Sequence, residues 1–158
     1  MHANLGITLK RLGRFEDALA QARRSLALAR QLGDKHEAAI DARVDIAIAL
    51  LELGRVDEAQ AELETAIAAA GNANEQQVAR LEHTLGSVLG DAGRWAEART
   101  HHEKAVGITK GVDAGSRTKY VASLARSSQM MGDKAGAERL FREVLDERTK
   151  HLGPMPIR

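Results

Sequence analysis

A glycine-centred turn recurs four times along the chain, and this limits what the chain can fold into. It reads "LGRFEDAL" over residues 12–19, "LGRVDEAQ" over 53–60, "AGRWAEAR" over 92–99 and "MGDKAGAE" over 131–138. The glycines are Gly13, Gly54, Gly93 and Gly132, spaced 41, 39 and 39 residues apart. A second series of breaks lies between them, in "QLGDKHE", "AAGNANEQQ" and "TKGVDAGS". Self-similarity at such a period marks a repeat architecture, in which each unit buries its apolar face only by stacking on its neighbours. The stretches between breaks are rich in alanine and free of proline, whose two copies are Pro154 and Pro156. Alanine loses no side-chain entropy in a helix, and without proline the helical hydrogen-bond ladder is not interrupted. The chain therefore reads as helix, tight turn, helix, loop, four times over. The helices are expected at about 3–12, 15–31, 36–52, 56–70, 75–92, 95–110, 116–131 and 134–151.

The breaks carry capping chemistry. Gly33, Gly71 and Gly111 stand where a helix C-terminus calls for a left-handed residue. Asp34 with Glu37 and Asn74 with Gln77 have capping-box spacing, and Ser116 is a third N-cap candidate. Acids follow the tight turns at Glu16, Asp17, Asp57, Glu58 and Glu97, where they offset the helix dipole. Matched positions agree in size. Eight residues before each turn glycine stand Leu5, Ile46, Leu85 and Leu124; one residue later come Gly6, Ala47, Gly86 and Ala125; five after it come Ala18, Ala59, Ala98 and Ala137. Small residues at such positions let two helices cross closely, and the large ones fill the seam beside them.

These residues give the chain a family likeness. Leu5-Gly6, Gly13, Phe15 and Ala18, with their later counterparts, resemble the tetratricopeptide repeat (TPR) family. The period is near 40 rather than the usual 34, similar to the longer variant of kinesin light chains and bacterial regulatory ATPases. The closing "VLDERTKHLGPMP" also resembles the inter-repeat segment of that variant. The resemblance implies an all-α, right-handed α-solenoid of four helical hairpins in a single domain. Its units would be about 1–33, 34–72, 73–113 and 114–152, with 153–158 a tail or the start of a further unit. The fourth unit departs most: Lys134 stands where Phe15, Val56 and Trp95 stand, and Ser128 where Leu9, Leu50 and Leu89 stand.

Composition closes off several functions. Net charge is +1, which argues against nucleic-acid binding. There is no cysteine, so disulfides, thiolate zinc sites and cysteine nucleophiles are excluded. No run approaches the roughly 18 apolar residues of a membrane helix, and the N-terminus has no signal-peptide core. A cytoplasmic location fits. No catalytic, cofactor or metal constellation is expected. Adjacent helix residues point about 100° apart, so His101 and His102 cannot jointly chelate one ion; His102 is expected in a seam and His101 in solvent. Trp95, Tyr120 and Phe141 are expected in the core.

The informative set is the first helix of each pair, which in TPR folds lines the concave surface. By position this gives Asn4, Ile7 and Lys10 in the first unit. The second gives Asp41, Val44, Asp45, Ile48 and Leu51. The third gives Arg80, His83, Thr84 and Ser87, and the fourth Lys119, Ser123, Arg126 and Gln129. The wall is divided, acidic and apolar in the second unit, basic and polar in the third and fourth. It suits a protein or peptide segment with acidic residues, and the expected function is a non-catalytic binding scaffold. Two further readings stay open: a regulatory module of a larger signalling or transcription-regulator protein, and self-association by end-to-end stacking.

Overall fold

The computed structural model describes residues 2–72, 74–109 and 114–152, and side chains chiefly from residue 11 onward. Gly111 and the 153–158 tail lie outside these. Among the described residues there are seven α-helices and no strand: α1 (His2–Ala29), α2 (Glu37–Glu52), α3 (Val56–Ala70), α4 (Glu75–Asp91), α5 (Trp95–Ile108), α6 (Ala114–Met130) and α7 (Lys134–Leu152). A short 3-10 turn, Arg30–Leu32, follows α1. The chain divides into two compact halves, Met1–Asn74 and Glu75–Arg158.

Three tight turns close by one main-chain device. Gly54, Gly93 and Gly132 have φ of 75°, 82° and 85°, a conformation that side chains disfavour. At each, the glycine N–H donates three residues back and the next N–H five back. Gly54 bonds to Leu51 and Arg55 to Leu50; Gly93 to Gly90 and Arg94 to Leu89; Gly132 to Gln129 and Asp133 to Ser128. These are Schellman turns, which satisfy carbonyls that a helix end would otherwise orphan. Hairpins α2–α3, α4–α5 and α6–α7 follow.

The first unit differs. Gly13 lies inside α1, which runs unbroken for 28 residues through the expected turn. A glycine inside a helix costs only about 1 kcal/mol, so packing decides whether the chain turns there. In the other units the arms meet: Ala59 and Ala98 are 0% exposed and Ala137 is 3%. Ala18, at the same register, is exposed, so no crossing is gained by turning.

In the N-terminal half, α2 packs against both α1 and α3. Its core joins Leu19 of α1, Ile40, Ile46, Ala47 and Leu50 of α2, and Leu63 of α3. In the C-terminal half α5 packs against α4 and α6, and α6 against α7. Leu81, Leu85, Leu89, Val121 and Ala125 fill that core.

The caps differ in detail from expectation. His36, not Asp34, caps α2, its Nδ1 accepting from the Ala38 N–H at 3.2 Å. Asp34 instead pairs with Arg30 at 2.8 Å. Ser116 lies inside the first turn of α6 rather than before it. Asp133 caps α7, accepting from the Gly136 N–H at 2.9 Å. The acids after two of the turns do more than face a dipole. Arg55 and Arg94 each grip, in a fork, the glutamate three residues on, Glu58 and Glu97. That grip holds both carboxyls below the usual carboxylate range.

Candidate functional site

The residues expected to form the wall lie on α1, α2, α4 and α6. On α2, Asp41, Asp45 and Ile48 are exposed while Val44 and Leu51 are half-buried. Their spacing of three and four residues sets them along one stripe of the helix. Ile48, at 47% exposure, is the apolar residue most open on that stripe. Asn4, Ile7 and Lys10 lie on α1, outside the residues whose side chains are described.

In the C-terminal half Arg80, Lys119, Arg126 and Gln129 are exposed, and His83, Thr84, Ser87 and Ser123 half-buried. Part of this set converges. His83 Nε2 on α4 lies 2.8 Å from Ser123 Oγ on α6, joining the two first helices directly. The His83 ring rests 4.8 Å from that of Tyr120 and 5.2 Å from that of His102. Burial, and then the nearby Lys119 charge, lower the His83 pKa to about 4. Burial, and then the neighbouring imidazoles, lower that of His102 to about 4 as well. Both rings are thus neutral at physiological pH and act as packing and hydrogen-bonding groups. Ser87 and Thr84 turn their hydroxyls back onto the carbonyls of His83 and Arg80 in their own helix.

The third unit is shaped by two glycines. A Cβ on Gly86 would stand 2.6 Å from the His102 ring, and one on Gly90 2.7 Å from the Trp95 ring. The glycines therefore admit two bulky rings of α5 against the backbone of α4. Arg126 reaches back from α6 to set its guanidinium 5.7 Å above the Trp95 ring, a cation–π geometry. Sequence reasoning did not find this pairing.

Other expectations are corrected. His101 is not in solvent: its Nδ1 lies 2.7 Å from the Glu82 carboxylate, which is 7% exposed. Phe141 is not core but 40% exposed, whereas Tyr120 is 6% exposed. The residues matched to Phe141 in earlier units, Leu63 and His102, are 0% and 3% exposed. The α6–α7 hairpin is clamped by Arg117, which stands where the earlier units have Ala39 and Val78; it reaches Glu143 at 2.7 Å and Glu147 at 3.0 Å. Among the described residues, no three His, Cys, Asp or Glu side chains are grouped to hold a metal ion. No helix among them is long and apolar enough to cross a membrane.

An all-α succession of helix hairpins, closed by glycine turns at a period near 40, defines a helical-repeat protein. Sequence profiles of the tetratricopeptide repeat match residues 1–72, and 83–112 with 121–154. The chain belongs to the tetratricopeptide repeat family. No curated protein sequence matches it. Among solved structures it is similar to BtubC (BKLC) from P. vanneervenii, with a TM-score of 0.79 and 19% identity over 92% of this chain. It spans 61% of that protein's chain. It is also similar to the nearly identical TPR-like repeats of a Podosopora anserina putative kinesin light chain (TM-score 0.73, 22% identity, 94% of this chain, 75% of that one). The MamA protein is a third (TM-score 0.65, 19% identity, 98% and 76%). At these identities the likeness shows the fold, an all-α solenoid of tetratricopeptide hairpins.

Proposed function

We propose that the chain is a binding scaffold without chemistry of its own, which docks a protein or peptide segment along the solvent-facing stripes of its first helices. Tetratricopeptide repeats generally mediate protein–protein interaction. The observation that carries the reading here is the division of chemistry on those stripes. Asp41 and Asp45 accompany Val44, Ile48 and Leu51 on α2, whereas Arg80 lies on α4 and Lys119 and Arg126 on α6. In the C-terminal half the preferred partner places acidic residues against Arg80, Lys119 and Arg126; in the N-terminal half α2 suits an apolar or basic anchor. Complementary charge of this kind speeds association more than it raises affinity, and salt weakens it. A cytoplasmic setting belongs to the same proposal.

Fluorescein-labelled acidic, neutral and basic peptides, followed by anisotropy at low and high salt, test it. The acidic peptides should bind, and replacing both Arg80 and Arg126 with Glu should abolish binding without changing helicity. Replacing Arg23 and Arg24, which are exposed on α1, should do little. If the α1 pair matters and the Arg80–Arg126 pair does not, binding uses another face and the assignment fails.

A further inference from the structure

We propose that two copies of the chain exchange the N-terminal arms of α1, residues 2–12, so that each arm covers a face of the other copy's α1 that its own chain leaves bare. The proposal concerns the N-terminal unit and is independent of the scaffold reading. The bare face is found by comparing units. Positions five, eight, twelve and fifteen residues after the turn glycine are spaced by three and four, so they share one stripe of the second helix. At the fifth and twelfth, Ala59 and Ala66 of α3 and Ala98 and Ala105 of α5 are all 0% exposed, and Ala137 and Val144 of α7 are also buried. On α1 the same positions are Ala18 and Ser25, and both are exposed. The eighth and fifteenth follow suit: half-buried in α3, α5 and α7, they are exposed on α1 as Gln21 and Leu28, the latter at 67%.

The repeat says what covers this stripe. In the other three units it faces the first helix of its own hairpin: the bridges Arg43–Glu62, Glu82–His101 and Arg117–Glu147 all run from it to that helix. In the first unit α1 runs straight through Gly13. Residues 2–12 therefore continue the axis of the helix that carries the stripe, and a straight helix cannot pack on its own side. The neighbouring face of α1, with Leu19, Ala22 and Ala29, is buried, and α1 packs against α2. The arm has the matching defect. Leu5 and Gly6 stand where first helices have Ile46-Ala47, Leu85-Gly86 and Leu124-Ala125, but no second helix turns back along it. Each copy thus has one arm of first-helix sequence and one uncovered stripe. A two-fold axis near Gly13 satisfies both at once. Two α1 helices cross antiparallel there, and each arm lies along the other's stripe. The helices of a hairpin are antiparallel too, so the contact between copies repeats the one made within the other units, which defines domain swapping. Gly13 suits the crossing, with nothing within 4 Å of an added Cβ; lacking a side chain, it lets two backbones approach closely.

Sedimentation equilibrium of the intact chain over a concentration series tests the stoichiometry, and the mass should double. Cross-linking tests the contact. The chain has no cysteine, so Gly6→Cys with Ala18→Cys places one thiol on the arm and one on the stripe. A small side chain is compatible with the register of Gly6, as Ala47 and Ala125 show. Oxidation should give a covalent dimer on a denaturing, non-reducing gel. Gly6→Cys with Ala20→Cys, which is exposed on another side of α1, should give none. A short run of glycines inserted after Gly13 gives the arm slack to fold back on its own chain. The dimer should then be lost, and the Gly6→Cys, Ala18→Cys pair should close within one chain. A monomer at every concentration, no disulfide or one that closes within the uninserted chain, equal cross-linking in the Ala20→Cys control, or a dimer that survives the insertion would each overturn the exchange. Sedimentation of the cysteine-free chain, with and without the insertion, decides should a cysteine variant misfold.

Discussion

His101 Nδ1 and the Glu82 carboxylate, 2.7 Å apart across the α4–α5 hairpin, occupy the same pair of repeat positions as Arg43 and Glu62, 2.9 Å apart across α2–α3. Both pairs are separated by 19 residues in sequence. The order of acid and nitrogen base is inverted between them, yet each bridges its hairpin at one height. In the fourth unit Val121 and Leu140 hold these positions, and the polar bridge moves to Arg117.

This inversion makes the third-unit pair exchangeable. Glu82→Ala should destabilise the protein by about 1–3 kcal/mol, because it removes a charged acceptor from a nearly buried site. Glu82→Arg combined with His101→Glu, which transplants the second unit's order, should recover most of that loss. Urea denaturation of the single and double variants measures it; a double variant no better than the single one would mean that the two bridges are not equivalent.

Acid should destabilise the C-terminal half before carboxylates titrate. His83 and His102 have folded pKa values of about 4, against 6.5 when unfolded. Between those values the unfolded chain binds the extra protons, so stability falls as pH falls. It is complete above about pH 6.5, and the loss is full near pH 4. Lys119, His101 and Glu82 surround the pair, and protonation of one ring opposes that of the other. Melting temperature followed from pH 7 to 4.5 should fall, and His102→Phe should flatten the slope.

The matched glycines should respond to alanine with opposite signs. Gly93→Ala forces a side chain into a left-handed conformation and should cost about 1–2 kcal/mol. Gly13→Ala sits in an exposed stretch of α1, with nothing within 4 Å of the added Cβ, and should stabilise by about 0.5–1 kcal/mol. Equal signs in thermal melts would contradict the continuous helix.

Overpacking should be sharp at the crossings. Ala98 is 0% exposed, and Ala98→Leu should cost about 1–3 kcal/mol. Gly86→Ala should also destabilise, since the His102 ring must move, although Ala47 and Ala125 hold the matched positions. Chemical denaturation reads both, and a neutral Ala98→Leu would place the crossing elsewhere.

What the sequence discloses follows from where each decision is made. The turns at Gly54, Gly93 and Gly132 were legible because a left-handed backbone leaves a glycine behind. The crossings at Ala59, Ala98 and Ala137 were legible because close approach leaves a small residue. Gly13 shows the limit: the residue is the same, but whether the chain turns there depends on what the two arms can bury. Phe141 fails for a similar reason, since its exposure depends on what packs over α7 and not on its own type. The Glu82–His101 and Arg43–Glu62 bridges were hidden by their inversion, which no single consensus residue records. Of the candidate wall, the residue positions came from the repeat, but the rings set against Gly86 and Gly90 enter from another helix.

The three Schellman turns are closed by main-chain bonds alone, although the residue after the glycine is Arg55, Arg94 and then Asp133. The architecture therefore asks for one specific residue at each turn and only for size at the crossings. In evolutionary terms the fold's constraints are few and the alphabet of its exposed positions is open, so two such chains can share a backbone while differing over most of their surface.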